Sequence, residues 1–464
     1  MQMSCHIQPL ATAAALAAAL ASPCFAERIV VSPGNGSVQA ALDRAEEGDV
    51  VVLEGEHRGP IRISRSVTLE GAPGSVLTGG GKGSVLTISA PGARVRGLAI
   101  RKSGRDLEKM DAGIFVEQSA TGAVVEDNRL EGNLYGIYLH GAENAVVRGN
   151  VVVGMKEGRI NEAGNGVSVW NAPGAKVLDN NFQFGRDGIF VIASKKNEFS
   201  GNRFRDLRFA VHYMYTDDST VSENISTGNT VGFAIMYSHR LKVRNNMSDG
   251  DRNHGLLFNF ANASEISGNT VRGRLQPADR WASSGLRIAS REHGLPAEEV
   301  SPPLDPGTRI GPEKCVFIYN ANKNIFRGNR FEGCDIGVHF TAGSEGNEIV
   351  GNAFVGNRNQ VKYVGTRYLD WSKNGRGNFW SDNPAFDLNG DGIADRAYRP
   401  NDAVDKVLWI APQAKVLINS PAMQIIRWAQ AQFPAVLPGG VVDSHPLMIA
   451  PAPSHERHNA GVGW

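Results

Sequence analysis

Two histidines and two methionines near the middle of the chain could together bind a soft metal ion. His212 and Met214 lie two residues apart in the segment RFAVHYM, and Met236 and His239 follow in the segment IMYSHR. Residues two apart on a β-strand point to the same face, so His212 and Met214 would share one side. Thioether and imidazole donors together favour Cu(I) over Zn²⁺ or Ca²⁺. Packing of the methionines under a loop or against a partner explains the same pattern, and both interpretations stay open.

A second group of candidate metal ligands carries oxygen atoms. The segment DLNGDGIAD places Asp387, Asn389, Asp391 and Asp395 at the spacing of the first half of a calcium-binding loop. Tyr398 stands where the closing glutamate of an EF-hand is expected, so the loop is not a standard EF-hand. A structural calcium site and a simple hydrogen-bonded turn are the two interpretations.

The elements that position these residues follow from an internal repeat. An asparagine after a short apolar strand recurs at spacings of 22, 30, 22, 22, 22, 23, 60 and 23 residues. These asparagines are Asn128, Asn150, Asn180, Asn202, Asn224, Asn246, Asn269, Asn329 and Asn352. A period near 22 residues with short strands predicts an all-β, right-handed parallel β-helix, in which each coil buries its inner face against its neighbours. Asparagine tolerates left-handed turns, and stacked amides can hydrogen-bond from coil to coil.

A second strand in each coil predicts which side chains face outward. It reads GIYLH from Gly136, AVHYM from Ala210 and AIMYS from Ala234, with an apolar second residue facing the core and the third and fifth residues facing out. The predicted outward residues are Tyr138, His140, Ser168, Trp170, Phe190, Ile192, His212, Met214, Met236, Ser238, Leu257, Asn259, Tyr319, Ala321, His339 and Thr341. An apolar, histidine-containing and methionine-containing stripe of this kind indicates a partner or ligand site. His212, Met214 and Met236 would lie on adjacent coils, with His239 at a strand end.

Two cysteines remain after the N-terminal leader. Cys315 and Cys334 differ by 334 − 315 = 19 positions, close to one period, so their Cα atoms could fall within disulfide distance on adjacent coils. An exported compartment permits a disulfide. A thiolate pair that binds copper or carries sulfur is the alternative.

The chain divides into four predicted regions. Residues 1–26 contain an alanine-rich apolar run that ends in small residues, which predicts a cleaved signal peptide and export. Residues 27–112 form an N-terminal cap and the first coils, and residues 113–365 form the β-helix repeats, interrupted by an insertion loop at about 273–312. Residues 366–464 form a C-terminal region with the calcium-like loop and a helical tail.

The helix of the C-terminal tail is predicted from its ends. Ser420 can cap its start, Pro421 suits its first turn and Pro434 ends it. One apolar stripe runs along it, formed by Ala422, Ile425, Ile426, Ala429 and Phe433. The helix either caps the β-helix or docks onto a partner such as a membrane protein.

Composition and outer-face chemistry argue against several classes of function. A net charge of +1 argues against nucleic acid as a partner, and no stretch after the leader is long and apolar enough for a transmembrane span. The main alternative is a β-helix that binds carbohydrate or modifies polysaccharides, which would need clustered acid–base groups in the outer groove. Asp217, Asp218, Asp249, Asp251 and His254 instead lie in predicted turns, where Asp is common.

Several segments resemble the NosD family of periplasmic copper-processing proteins. They are FRDLRFAVHYMYTDD, GFAIMYSHRLKV, RNHGLLFNF, EKCVFIYNANKN, GVHFTAGSEGN, VKYVGTRY, GNFWSDNPAFDLNGDGIADRAYRPND and INSPA. The likeness extends over nearly the whole mature chain. The insertion near 273–312 departs from the compact form expected of the family.

The resemblance implies a periplasmic, non-enzymatic assembly factor for nitrous oxide reductase. Proteins of this family work with an ABC transporter made of an ATPase and a membrane subunit. They accept copper from a lipid-anchored chaperone and support maturation of the copper–sulfide cluster of the reductase. The implied cargo is transient Cu(I), whereas the ligand set proposed above comes from the strand face alone. This chain has no Gly-Lys loop of the kind that binds nucleotide phosphates.

Overall fold

A computed structural model describes residues 26–452, except for 35–36, 157–158, 276–309, 403, 406, 408–410, 418–419 and 434–438. The chain forms a right-handed parallel β-helix, as the repeat predicts. The predicted signal peptide, apart from its last residue, and most of the predicted insertion lie outside the described residues.

Each full coil contributes one strand to each of three parallel sheets, of 13, 13 and 12 strands. The strands of sheet 1 are β1 Arg28–Val31, β2 Val50–Leu53, β5 Thr68–Gly71, β8 Arg94–Arg96, β11 Val124–Glu126, β14 Val146–Arg148, β17 Lys176–Leu178, β20 Glu198–Ser200, β23 Thr220–Ser222, β26 Lys242–Arg244, β29 Glu265–Ser267, β34 Ile325–Arg327 and β37 Glu348–Ile349. The strands of sheet 2 are β3 Glu56–Arg58, β6 Val76–Thr78, β9 Ala99–Arg101, β12 Arg129–Glu131, β15 Val151–Val153, β18 Asn181–Gln183, β21 Arg203–Arg205, β24 Ile225–Thr227, β27 Met247–Asp249, β30 Thr270–Arg272, β35 Arg330–Glu332, β38 Ala353–Val355 and β41 Phe379–Trp380.

Sheet 3 carries the predicted outward residues and has the longest strands of the three sheets. Its strands are β4 Ile61–Ile63, β7 Leu86–Ile88, β10 Ala112–Val116, β13 Tyr135–His140, β16 Asn165–Trp170, β19 Asp187–Ile192, β22 Phe209–Met214, β25 Val231–Met236, β28 His254–Asn259, β33 Lys314–Tyr319, β36 Ile336–Thr341 and β39 Asn359–Val364. One apolar core runs along the axis of the β-helix, filled by inward side chains of all three sheets. Each fully buried Val, Leu, Ile or Phe contributes about 1.5–3 kcal/mol, so stacking of coils drives folding.

The predicted asparagines form a continuous ladder at the corner between sheets 1 and 2. Asn202 is typical: its Nδ2 and its backbone N both donate to Oδ1 of Asn224, each at 3.0 Å, and Nδ2 also donates to the Val177 carbonyl at 2.8 Å. The predicted amide stacking is therefore confirmed. The left-handed residue at this corner is the one before the asparagine, such as Glu223 with φ of 58°, so the expectation that the asparagines take that conformation was wrong.

The ladder ends on a carboxylate. Asn378 extends it beyond the predicted positions, and the backbone N of Asn378 donates to Oδ2 of Asp443 at 2.6 Å. Trp380 Nε1 donates to the same oxygen at 2.7 Å. Burial raises the pKa of the Asp443 carboxyl, although these donors oppose the rise. An aspartate suits this position because its ionised carboxylate accepts hydrogen bonds without needing to donate any.

The insertion leaves the stack of coils uninterrupted. Its base is a short antiparallel pair, β31 Arg274–Leu275 with β32 Ile310–Gly311, while β28 pairs directly with β33. Cys315 lies just after this base and Cys334 lies one coil further on; both are fully buried and form a disulfide with a Cα–Cα distance of 5.7 Å.

Helices lie near both ends of the described chain. Helix α1, Val38–Arg44, contacts β1, β2 and β4. Helix α2, Pro421–Gln432, begins at Ser420, whose Oγ accepts from the Met423 amide, with proline in its first turn. Short 3₁₀ turns cover Ile160–Glu162 and Pro412–Leu417, and β40 Leu369–Asp370 pairs with β42 Val441–Val442. Among the described residues, no helix has the length and apolarity needed to cross a membrane.

Candidate functional site

The outer face of sheet 3 presents two columns of side chains that run from coil to coil. In the coil of β22 the columns are occupied by His212 and Met214, as predicted. The next coil corrects the predicted alignment, because Met236 pairs with Met214 and Ala234 pairs with His212. The small residue that matches Ala210 is Gly232, two residues before the Ala234 used in the prediction.

The same two-residue error affected two other predicted outward residues. Ser238 lies in the turn after β25, fully buried, with its Oγ accepting from the Thr216 amide at 3.1 Å. Ala321 is also fully buried beyond the end of β33. Neither residue belongs to the outer face.

His212 is held on several sides and leaves one nitrogen unpaired. Its ring lies between Phe190, with centroids 5.1 Å apart, and Phe209, with centroids 4.8 Å apart. Its Nδ1 lies 3.1 Å from Oδ2 of Asp187. The residue is only 7% exposed, and its Nε2 is buried without a hydrogen-bond partner. A buried polar atom without a partner is costly, which indicates that Nε2 serves a purpose other than stability.

Asp187 fixes the tautomer of His212. Arg208 donates to both carboxylate oxygens of Asp187, at 2.8 Å and 2.7 Å. Burial alone would raise the pKa of this carboxyl, but the hydrogen bond from His212 and the charge of Arg208 outweigh burial and lower the pKa to about 2. An ionised carboxylate only accepts, so Nδ1 of His212 must carry the proton. In a neutral imidazole the lone pair then lies on Nε2.

The two methionines stand beside this imidazole. Met214 follows His212 at the next outward position of β22, and Met236 is the register partner of Met214 on β25. Parallel strands lie about 4.8 Å apart, which brings both thioethers within reach of one ion. Ala234 is the register partner of His212, so a small side chain lies beside the ring on that side.

His239, the fourth predicted ligand, is engaged elsewhere. It lies in the turn after β25, where Nδ1 contacts Asp217 Oδ1 at 3.2 Å and Nε2 lies 3.3 Å from Asn262 Nδ2. Both ring nitrogens therefore have partners, in contrast to the free Nε2 of His212.

His339 lies in the same column of outward side chains as His212 and is half-buried. His339 has an unpaired Nδ1 and packs against Phe317 with centroids 5.1 Å apart. Burial, together with the charges of Lys362 and Lys314, lowers the pKa of His339 to about 4, so its imidazole is neutral at pH 7.

The predicted calcium loop is folded by its own side chains. Asp387 accepts from the backbone amides of Gly390 and Gly392, at 2.6 Å and 2.8 Å. Asp395 accepts from the Leu388 amide at 2.7 Å. Within the described ranges, no group of three or more His, Cys, Asp or Glu side chains is arranged to hold a metal ion. Calcium binding by Asp387, Asn389, Asp391 and Asp395 stays a prediction.

The acidic residues considered for polysaccharide chemistry do not form a pair on the outer face. Asp251 lies in the interior, where it accepts from Ser226 and Ser248 at 2.7 Å and 2.6 Å. Burial raises the pKa of Asp251 to about 6 despite these donors. Asp218 is bound to Arg240 at 2.6 Å.

Sequence reasoning missed Asp187 and Arg208, which organise the site. Laying one coil on the next with the correct register would have found Asp187, because it is the partner of Phe209 at the start of the neighbouring strand. A charged residue at a buried strand position is the signal, since such residues are rarely buried without a partner.

Comparison with known proteins points to one family. A family model described as periplasmic copper-binding protein (NosD) matches residues 153–385, and a right-handed β-helix model matches residues 73–182. A protein of Stutzerimonas stutzeri named "Probable ABC transporter binding protein NosD" is 39% identical over 397 residues, 86% of each chain. A protein of the same name from Pseudomonas aeruginosa is 40% identical over 406 residues, 88% of this chain and 89% of that one.

Solved structures match this chain only at low similarity. The Dettilon tailspike protein has 13% identity and a TM-score of 0.45, covering 73% of this chain and 68% of its own. A family 28 exopolygalacturonase of Yersinia enterocolitica has 11% identity and a TM-score of 0.43, covering 73% and 78%. Nothing about the chemistry of this chain follows from similarity at that level.

Proposed function

Because the chain belongs to the NosD family of periplasmic copper-binding proteins, we propose that it carries Cu(I) during assembly of a copper enzyme. The observation that supports this most is the buried Nε2 of His212, which has no hydrogen-bond partner although its ring is fixed from the other side. Metal-binding histidines are commonly oriented in this way, by a carboxylate on the second ring nitrogen.

The proposed copper ligands are His212, Met214 and Met236. Two thioethers and one neutral imidazole form a soft, uncharged donor set, which selects Cu(I) among the metals of the cell envelope. His239 is left out of this set because both of its ring nitrogens have partners. A site without an anionic ligand suits a cargo that is bound and released, and copper is here the substrate of the protein.

A non-enzymatic role fits the state of the carboxylates at this face. Asp187 is bound by Arg208 and His212 and has a pKa of about 2, so it is ionised and occupied at neutral pH. General acid–base chemistry on a sugar needs a carboxyl group that can exchange a proton near the working pH.

We also propose that the protein acts with the membrane subunit and ATPase of an ABC transporter, a copper chaperone and nitrous oxide reductase, in maturation of the copper–sulfide cluster. Helix α2 offers a docking surface for the membrane subunit. Ile425 and Trp428 are each 63% exposed and Phe433 is 61% exposed. These exposures show that the part of the chain that the structure describes does not cover the apolar side of helix α2, which supports docking over capping.

Copper titration tests the site. The double variant Met214→Leu with Met236→Leu keeps the size and apolarity of both side chains and removes both sulfur atoms. Binding of Cu(I), measured anaerobically against a chromogenic Cu(I) chelator, should weaken at least tenfold while the circular dichroism spectrum stays unchanged. Met247→Leu, a change of the same kind at a buried methionine of sheet 2, is the matched control. Equal affinity of the wild type and the double variant would refute the site.

Co-purification tests the docking surface. Trp428→Ala with Ile425→Ala should reduce recovery of the transporter membrane subunit with the tagged protein, and should leave Cu(I) affinity unchanged. Undiminished recovery would remove helix α2 from the proposed interface.

A further inference from the structure

A second place where a thioether and an imidazole share one cavity lies on the first coils of the same outer face. The cavity has a volume of about 650 Å³. Its lining residues are Met110, Phe115, Glu117, Gln118, Ser119 and His140. Its residues lie at strands β10 and β13, which are four and three coils from β22, so about 14–19 Å separates the cavity from the coil of His212 at about 4.8 Å per coil.

Aromatic rings hold His140 in place. Its ring stacks on Trp170 with centroids 4.4 Å apart and an interplanar angle of 24°. Phe115 lies 5.6 Å away on the other side, at 28°. Among the described residues, no hydrogen bond engages either ring nitrogen of His140. The imidazole is thus oriented by stacking alone, and its nitrogen atoms remain free to bind a ligand.

Met110 occupies a backbone conformation that methionine seldom adopts. Its φ of 56° is left-handed, which costs an L-residue roughly 1–2 kcal/mol relative to glycine. The side chain packs with Phe115 and Tyr138 against the small apolar cluster around Tyr135.

The polar rim of the cavity is already paired. Arg62 donates to both oxygens of Glu117, at 2.8 Å and 2.9 Å, and this contact raises the pKa of Arg62. Ser119 Oγ donates to the Ser89 carbonyl at 2.6 Å. A hard cation such as Ca²⁺ would find no unpaired carboxylate in the cavity, whereas the sulfur of Met110 and the nitrogens of His140 are soft donors.

We propose that this cavity is a second Cu(I) site, with Met110 and His140 as ligands and Trp170 behind the imidazole. The inference rests on the proposed function only in taking Cu(I) as the cargo, because the two sites share no residue. Two positions on one face would let the protein hold two ions at once.

Stoichiometry tests the proposal with the full-length mature protein. Under anaerobic, reducing conditions the wild type should bind two equivalents of Cu(I), and two of the redox-inert analogue Ag(I). Met110→Leu with His140→Phe should bind one equivalent, as should Met214→Leu with Met236→Leu, and the fourfold variant should bind none. Phenylalanine preserves the stacking on Trp170, and the single change Met110→Leu provides a milder variant if the double variant unfolds.

Fluorescence identifies which site is filled. Binding next to His140 should quench Trp170 emission, and Trp170→Phe should abolish that part of the quenching. Retention of full stoichiometry and quenching by Met110→Leu with His140→Phe would overturn the second site. Loss of one equivalent in that variant, with no loss in the Met214 and Met236 variant, would support the second site and refute the first.

Discussion

Replacing Asp187 by asparagine tests the role of the carboxylate that orients the ring of His212. Asp187 is fully buried, and its pKa is about 2 in the folded protein against an ordinary value of 3.8. Since each pKa unit is worth about 1.4 kcal/mol, the folded state gains roughly 2 kcal/mol from keeping this carboxylate ionised. The depressed pKa means that this stability is present above about pH 4 and is lost as the pH falls from about 4 to about 2.

At neutral pH, the Asp187→Asn variant should lose at least that much free energy of unfolding. Asp187→Asn leaves the guanidinium of Arg208, 24% exposed, without its charged partner. We therefore expect a decrease in the free energy of unfolding of about 2–4 kcal/mol at pH 7, toward the range for a broken buried ion pair. The amide also no longer fixes the proton on Nδ1 of His212, so Cu(I) affinity should fall about 10–100-fold.

Denaturant unfolding at pH 7 and pH 3, followed by circular dichroism, measures the first effect, and chelator competition measures the second. Asp218→Asn is the matched control, since Asp218 is paired with Arg240 at the exposed surface and little change is expected there. Equal unfolding free energy of the wild type and Asp187→Asn at pH 7 would refute the electrostatic reasoning. Unchanged Cu(I) affinity in a destabilised variant would leave Asp187 with a structural role alone.

Three further outcomes follow from the interior of the β-helix. Asp251 has a pKa of about 6 in the folded protein against an ordinary value of 3.8. The free energy of unfolding of the wild type should therefore rise by roughly 3 kcal/mol as the pH falls from about 7 to about 4. The melting temperature of Asp251→Asn should vary less over this range. Asp443→Ala removes the shared acceptor at the end of the ladder and should lower the free energy of unfolding by about 2–4 kcal/mol, measured with denaturant. Its Trp380 fluorescence should be blue-shifted or quenched, and a variant elsewhere in the core should not show this change. The double variant Cys315→Ala with Cys334→Ala removes the disulfide between residues 19 positions apart. Its free energy of unfolding should be lower by about 3 kcal/mol, and its Cu(I) binding should equal that of the wild type.

The repeat made the architecture predictable because the same physical requirement returns in every coil. From Asn128 onward, each turn between sheets 1 and 2 places an asparagine whose short side chain supplies donor and acceptor together, so the spacing of the asparagines reveals the coils. The end of the ladder was not predictable in this way, since Asp443 lies 65 residues after Asn378 and belongs to no repeat.

The proposed copper ligands could be named from the sequence, whereas the residues that support His212 could not. His212 and Met214 follow from strand alternation, which needs only local sequence. Which residue lies beside Met214 depends on the register between coils. Aligning Ala210 with Ala234 instead of Gly232 shifts that residue by two positions. Asp187 and Arg208 escaped notice because their pairing joins residues 21 positions apart, across a register that the sequence leaves ambiguous.

The carboxylate at the end of the asparagine ladder also bears on self-association. All amides of the ladder donate in one direction along the axis, so an open end would offer an unused acceptor or donor to the first coil of another molecule. Asp443 closes that end with a group that repels further acceptors, and it follows directly after β42, which pairs with β40. Exposed ends of parallel stacks template further pairing, so shortening the chain before Asp443 should increase end-to-end self-association.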